Sequence, residues 1–292
     1  MPNLTTQIPI SQLPPITAGA LTDIFPCVQS GVTYKQTTAQ IRAAMGLPYP
    51  PLYAFGFNIK WISTTVIQLS AGLIKSLLGI EYVVTASTLN IDITVSGAGG
   101  LDTGTAAGSS TYAVYVIWDK NNVNPTKGLF SLGFPTPTVL PAGYTDYRRV
   151  GWWMTNNTGD LFLFSQRGLY NQRKYFYQDV FSIAPASGGR RLYQGLAAVD
   201  TVVDCSTFIP PGCNEIGISA SIIQNGASAT AYIKNNDFSN ANHDFASTPT
   251  LTNVNFMDID LSTSTMKFSC KVTDGGGVAV LAVDLTSFVD YI

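Results

Sequence analysis

Charged side chains are scarce in this sequence of 292 residues, where Asp, Glu, Lys and Arg together make up 12%, against about 25% in ordinary soluble domains. Only two glutamates occur, Glu81 and Glu215, and His243 is the only histidine. Good helix formers are therefore few, whereas Thr, Ser, Asn and Asp are abundant, and these residues prefer strands, turns and caps. This composition favours an all-β chain.

The same scarcity excludes several partners. With a formal net charge of -2, the chain lacks the excess of basic residues that is typical of nucleic-acid binders. No apolar run reaches the ~18 residues of a membrane span, so we expect no membrane insertion. Met1–Pro9 lacks the basic stretch and apolar segment of a secretory signal. We therefore expect the four cysteines to be thiols of a protein made in the cytoplasm. Cys205 and Cys213, however, flank a turn that would allow a disulfide bridge.

The first fifty residues predict an extended arm, because closely spaced prolines prevent a helix or a central strand from running through Pro2, Pro9, Pro14, Pro15 and Pro26. One short helix is predicted after them. Thr37 caps it, Gln40 stands three residues later as in a capping box, and Gly46 ends it. The predicted first region is the arm, 1–50.

The remaining sequence predicts strands. Ile91, Ile93 and Val95 alternate with polar residues, and Tyr112–Trp118 is apolar on both faces, as in a strand buried between two layers. Val150–Met154 and Leu161–Phe164 read as a hairpin. Because Arg167–Lys174 is polar and basic, we place a boundary near residues 168–185. The expected fold is all-β: the arm, a β-rich middle domain (51–170) and a distal β-sandwich (171–292).

Three stretches resemble parts of bacteriophage tail-fibre and receptor-binding proteins. The first resembles their virion-attachment segment and comprises Ile10–Pro14, Asp23, Pro26, Gln29, Gly31, Thr33–Lys35, Thr37, Gln40 and Ile41. The second resembles a phage β-module and comprises Leu140–Tyr144, Arg148–Gly151, Thr155, Gly159 and Phe164–Gln166. The third resembles the opening of their distal sandwich and comprises Ser206–Pro211 and Ile216–Ile218.

This resemblance implies a structural virion protein, made in the host cytoplasm, that forms an elongated homotrimer. The arm would attach to other virion proteins, and the distal domain would contact a host-surface glycan. The candidate attachment residues are Leu13, Asp23, Pro26, Tyr34, Thr37 and Ile41 from the resemblance, together with Phe25, an apolar side chain of the arm. A spacer carrying another adhesin is a further alternative.

Catalytic residues are hard to find, so we expect no enzyme, cofactor or metal. A hydrolase triad would depend on His243 alone, and the cysteines lack zinc-ligand spacing. The rival hypothesis is a glycosidase using two acids. Asp258 with Asp260, or Asp200 with Asp204, would share one face of a strand. The alternative interpretation is solvent-facing aspartates.

A polar and aromatic segment between two strand signals is the candidate receptor loop. Amides and carboxylates beside aromatic rings suit a neutral sugar, although a plain turn has a similar composition. Calcium binding by Asp237 and Asp244 lacks a recognised spacing. The candidate receptor residues are Asn235, Asn236, Asp237, Phe238, Asn242, His243 and Asp244.

Overall fold

The computed structural model describes most of the chain after residue 53 and a short part before it. The described residues are 24–29, 32–37, 54–75, 82–121, 123–168, 172–177, 191–213, 215–223, 228–235, 242–247, 254–261, 266–274 and 279–292. The chain divides into two compact units, Met1–Pro51 and Leu52–Ile292.

The described part of the first unit is an antiparallel hairpin of β1 (Ile24–Gln29) and β2 (Val32–Thr37). The predicted extended arm therefore contains a hairpin. Pro26 fits in β1 because both strands of a two-stranded hairpin are edge strands, where a missing N–H is tolerated. The predicted helix ending at Gly46 lies outside the described residues, apart from Thr37, which ends β2.

The second unit is built of strands along its whole described length. In chain order these are β3 (Ala54–Gly56), β4 (Ile59–Trp61), β5 (Val66–Leu69), β6 (Gly72–Lys75), β7 (Tyr82–Thr85), β8 (Leu89–Asp92), β9 (Thr111–Trp118), β10 (Lys127–Ser131), β11 (Asp146–Met154), β12 (Phe164–Arg167), β13 (Gln172–Tyr177), β14 (Arg191–Gly195), β15 (Thr201–Asp204), β16 (Glu215–Ile223), β17 (Ala229–Asn235), β18 (Asn242–Ser247), β19 (Val254–Asp260), β20 (Lys267–Asp274) and β21 (Val280–Tyr291).

These strands form four antiparallel sheets. The largest has nine strands in the order β19-β16-β21-β13-β12-β4-β5-β8, with β14 pairing β21 beside β13. A four-stranded sheet has the order β15-β20-β17-β18, and two three-stranded sheets have the orders β10-β9-β11 and β3-β6-β7. The all-β prediction is confirmed, because the described residues contain no helix. Among them there is accordingly no helix long and apolar enough to cross a membrane.

Strand β9 is buried on both faces, as its sequence predicts. Tyr112, Val114 and Val116 face the main hydrophobic core, to which all four sheets of the unit contribute. Ala113 and Tyr115 face a second, smaller cluster. A continuous apolar run therefore marks a strand that lies between two layers.

The predicted division between a middle and a distal domain is corrected by the nine-stranded sheet. Strands from both sides of residues 168–185 belong to this sheet, and Leu52–Ile292 is one compact unit. Strand β13, which contains the end of the polar stretch that suggested a boundary, pairs with β12 on one side and β21 on the other.

Arg173 shows why a basic stretch gave the wrong boundary. Its side chain is only 2% exposed. Nη1 donates hydrogen bonds to Phe57 O, Asn58 Oδ1 and Gln166 Oε1 at 3.0–3.1 Å, and Nη2 donates to Gly56 O at 2.6 Å. These four hydrogen bonds offset part of the cost of burying the guanidinium. Arg173 therefore ties β13 to the strands before it rather than marking a linker.

The predicted hairpin after Val150 is also only partly right. The turn exists, because Thr155 and Leu161 form an isolated bridge across it. The predicted return strand pairs with β11 only briefly, because Phe162 N–H donates to Met154 O at 3.0 Å, whereas β12 begins at Phe164 and pairs with β13 and β4. The chain therefore crosses from one sheet to another where a simple hairpin was expected.

Candidate functional site

The outer face of the four-stranded sheet carries the candidate site. Along β17, Ala229, Ala231 and Ile233 are buried, so Thr230, Tyr232 and Lys234 project from the opposite face. We call this surface the polar face and define it by Asp200, Thr230, Tyr232, Lys234, Asp244 and Thr273.

The register of the sheet assembles the polar face from separate strands. Tyr232 lies opposite Asp244 on β18 and opposite Lys271 on β20. Thr230 lies opposite Thr273 on β20. Directly opposed residues in an antiparallel pair are within reach of each other. Side chains that are about ten to forty residues apart in the sequence therefore meet on one surface.

Asp200, which immediately precedes β15, organises the polar face. Its carboxylate accepts a hydrogen bond from the Tyr232 hydroxyl and another from Lys234 Nζ at 2.6 Å. The hydrogen bond from Lys234, followed by that from Tyr232, lowers the pKa of Asp200. Asp200 is therefore ionised at neutral pH and holds both partners in place.

The ionised Asp200 carboxylate stabilises the protonated form of Tyr232. The hydrogen bond to Asp200 raises the pKa of Tyr232 to about 12. The Lys234 ammonium also lies 5.5 Å from the centre of the Tyr232 ring. The phenol ring is thus neutral, fixed in orientation and half-exposed.

A depression of about 420 Å³ lies beside Tyr232. Its lining includes Thr230, Tyr232, Asp244 and Thr273. This volume lies within the range of about 300–1,000 Å³ for small-molecule sites. An aromatic surface beside hydrogen-bonding groups suits a ligand that has one apolar face and several hydroxyls.

The Asp200 contact has a direct titration test. Asp200→Asn is expected to lower the pKa of Tyr232 from about 12 toward the ordinary value of 10.0, because the ionised acceptor that stabilises the phenol proton is lost. Tyrosine labelled with ¹³C at Cζ reports this titration by NMR. Asp204→Asn is the matched control, since Asp204 pairs with Lys267 instead. An unchanged Tyr232 titration in Asp200→Asn would contradict the contact.

Strand alternation places the predicted receptor residues on different faces of the sheet. Asp244 lies on the polar face opposite Tyr232. His243 is exposed but lies opposite the inward-facing Ile233, and Asn235 is buried at the end of β17. Asn242 begins β18 opposite Lys234. The other candidates, Asn236, Asp237 and Phe238, lie outside the described residues.

The sequence did not predict that Asp200 accepts hydrogen bonds from Tyr232 and Lys234. The alternation of Thr230, Tyr232 and Lys234 with small or apolar residues was visible and marks one solvent face of a strand. The position of Asp200 depends on the pairing of β15 with β20. That pairing has no local sequence signal.

The predicted attachment residues lie in the hairpin or outside the described chain. Phe25 and Pro26 belong to β1, and Tyr34 and Thr37 belong to β2. The hairpin pairs these two strands in the register Cys27↔Tyr34. The remaining attachment candidates, Leu13, Asp23 and Ile41, lie outside the described residues.

Three of the four candidate acids, Asp200, Asp204 and Asp258, have described side chains, and each of these forms an ion pair with a lysine. Asp258 is exposed and lies 2.7 Å from Lys174 Nζ. Hydrogen bonds with neighbouring groups lower the pKa of both Asp200 and Asp204, with Lys234 the largest cause for Asp200 and Ser206 for Asp204. A general acid needs a raised pKa so that it holds a proton at neutral pH. Asp200 and Asp204 are therefore poor proton donors.

The cysteines and acids show no metal site within the described residues, because no three His, Cys, Asp or Glu side chains cluster there. Cys205, Cys213 and Cys270 are free and buried, so Cys205 and Cys213 do not form the bridge that the sequence left open. Burial raises the pKa of Cys205 and Cys270 to about 12. These thiols are therefore unreactive at neutral pH.

Comparison with known proteins gives only distant similarities. No family model and no curated protein matches the chain. Two solved structures from Bacillus thuringiensis align with it: the insecticidal delta-endotoxin Cry8Ea1 (TM-score 0.23, 9% identity, 94% of this chain, 60% of that one) and the mosquito-larvicidal Cry4Aa toxin (TM-score 0.20, 10% identity, 82% and 52%). The chain spans less than two thirds of either toxin structure. At these TM-scores the similarity supports no conclusion about function.

Proposed function

We propose that this chain is a structural protein of a phage tail fibre or receptor-binding appendage that binds a host-surface glycan without cleaving it. Residues 1–50 attach it to the particle, and the polar face contacts the glycan. Two kinds of observation support the proposal: sequence motifs such as Ile10–Pro14 and Leu140–Tyr144, which resemble phage proteins, and the chemistry of the polar face.

The observation that carries the proposal is the fixed Tyr232 ring beside Asp244 and two threonine hydroxyls. A sugar ring has an apolar face of C–H groups, which packs on an aromatic ring. Its hydroxyls donate hydrogen bonds to a carboxylate and exchange them with Thr230 and Thr273. Because Asp200 holds Tyr232 in place before binding, little conformational entropy is lost when a ligand arrives.

A homotrimer would turn weak sugar sites into firm attachment, since linked sites gain about 10²–10⁴ in avidity. Unpaired strand edges favour such an assembly. The four-stranded sheet ends at β15, where Val202 is 57% exposed, and the nine-stranded sheet ends at β19, where Phe256 is 65% exposed. Exposed apolar side chains on edge strands are plausible contacts between copies.

The test is incubation of the purified chain with host cells and with isolated surface polysaccharide, scoring adhesion and new reducing ends. Tyr232→Ala is expected to weaken adhesion at least about tenfold, a change of about 1.4 kcal/mol, because the stacking surface is lost. Tyr291→Ala is the matched control, since Tyr291 is also exposed on a strand but lies in the nine-stranded sheet. Circular dichroism of both variants verifies that the sheets remain folded.

The outcomes separate the candidate functions. Adhesion without new reducing ends, lost in Tyr232→Ala, supports the proposal. New reducing ends that disappear in Asp258→Asn would support a glycosidase instead, and absence of both signals would leave a structural spacer.

Light scattering on the same preparation tests the trimer against a monomer of 31.3 kDa. Deletion of residues 1–46 tests attachment, because incorporation into particles should then cease.

A further inference from the structure

A groove on the nine-stranded sheet is a second, separate candidate site. Strands β4 and β12 pair through a single residue pair, Lys60↔Ser165. A depression of about 450 Å³ lies beside this pairing, within the usual size range of small-molecule sites. We call it the Lys60 groove; the lining residues used below are Asn58, Lys60, Gln68, Ser70, Leu163 and Ser165.

Strand alternation explains the polar lining. Ile59, Ile67 and Leu69 are buried beneath the sheet, so Lys60 and Gln68 project from its outer face. The register places Lys60 directly opposite Gln68 on the neighbouring strand. The ammonium and the amide therefore stand side by side at the groove.

Neighbouring contacts fix the amide groups of the groove in orientation. Gln68 Nε2 donates a hydrogen bond of 2.9 Å to Asn90 Oδ1, which leaves Gln68 Oε1 as an acceptor. Asn58 Oδ1 accepts a hydrogen bond of 3.0 Å from the buried Arg173, which leaves its NH₂ group as a donor. The groove thus presents a defined acceptor and a defined donor.

The charge of the groove is positive. Lys60 belongs to the lining, and no aspartate or glutamate does. Within the described part of the chain, the ion pairs engage Lys174, Lys234 and Lys267, whereas Lys60 has none. An exposed ammonium beside fixed amides and without a carboxylate complements an anionic ligand.

We infer that the Lys60 groove binds a sugar unit that carries a carboxylate. Lys60 Nζ donates to the carboxylate, Gln68 Oε1 accepts from a hydroxyl, and the Asn58 amide donates to another. Leu163, which is 40% exposed, offers an apolar surface to the C–H face of the ring. This inference stands apart from the proposed function, because it concerns another sheet and a charged ligand.

The test compares trigalacturonate, which carries three carboxylates, with the neutral maltotriose of equal ring number. Tryptophan fluorescence reports binding, because Trp61 is half-exposed in the groove lining whereas Trp118, Trp152 and Trp153 are buried. Trigalacturonate should bind saturably and at least tenfold more tightly than maltotriose. Each affinity is measured in the full chain.

Lys60→Gln should weaken trigalacturonate binding about tenfold, while Lys127→Gln, an exposed lysine on β10, should leave it unchanged. Tyr232→Ala should also leave it unchanged, so failure of this inference and failure of the proposed function are read separately. Equal affinity for both trisaccharides, or equal losses in the two lysine variants, would overturn the inference. Competition by inorganic phosphate at equal concentration would also overturn it, by showing a general anion site.

Discussion

Arg173→Leu is expected to lower the free energy of unfolding by about 3 kcal/mol. The substitution leaves the backbone carbonyl oxygens of Gly56 and Phe57 without their donor inside the protein. Each such acceptor costs about 1–3 kcal/mol. Because burial lowers the pKa of Arg173, removing this poorly solvated charge offsets part of the loss. Urea unfolding followed by tryptophan fluorescence measures the change.

Arg167→Leu is the matched control for this prediction. Arg167 ends β12 in the adjacent strand, is exposed and contacts the Phe176 ring at 5.4 Å. An exposed contact of this kind is worth about 0.5–1 kcal/mol. Similar losses in both variants would show that the hydrogen bonds of Arg173 do not stabilise the fold.

Local sequence pattern was sufficient to predict some of the strands. The apolar run Tyr112–Trp118 predicted β9 and its burial on both faces, because such a run cannot face water on either side. The alternation of Ile91, Ile93 and Val95 predicted a strand there, of which the structure forms only β8, ending at Asp92. These features depend on neighbouring residues only, so the sequence shows them directly.

The pairing of strands could not be predicted in this way. The polar stretch Arg167–Lys174 indicated a linker, because arginine is mostly exposed in proteins. The structure instead buries Arg173 against backbone oxygens more than one hundred residues earlier in the chain. Contacts of that separation leave no local signal.

The polar face could be read from the sequence only in part, because strand pairing also brings its residues together. The segment around Asp244 was predicted as a receptor loop, which stays a prediction, and Asp244 lines the depression beside Tyr232. Local reasoning placed His243 in the same group, but alternation within β18 turns it to the other face. Asp200 reaches the polar face only because the strands of the sheet pair as they do, so composition alone did not indicate its contact with Tyr232.

Asp290→Asn is expected to lower the free energy of unfolding by about 3–5 kcal/mol. Asp290 is 3% exposed and accepts two hydrogen bonds from Arg149 Nη1 at 2.7–2.8 Å. The Arg149 guanidinium lies 5.3 Å from the centre of the Phe134 ring and 4.9 Å from that of the Trp152 ring, so losing the carboxylate leaves a largely buried charge without a counterion. Urea unfolding at neutral pH measures the loss.

Two further variants distinguish an uncompensated charge from a simple packing defect. Asp258→Asn also removes a carboxylate from an ion pair, but Asp258 is exposed, so its loss should cost no more than about 1 kcal/mol. Arg149→Met combined with Asp290→Asn removes the unpaired charge, while a long side chain still packs against both rings. The double variant should therefore be more stable than Asp290→Asn alone. If it is less stable, the cost of Asp290→Asn comes from altered packing rather than from the charge left on Arg149.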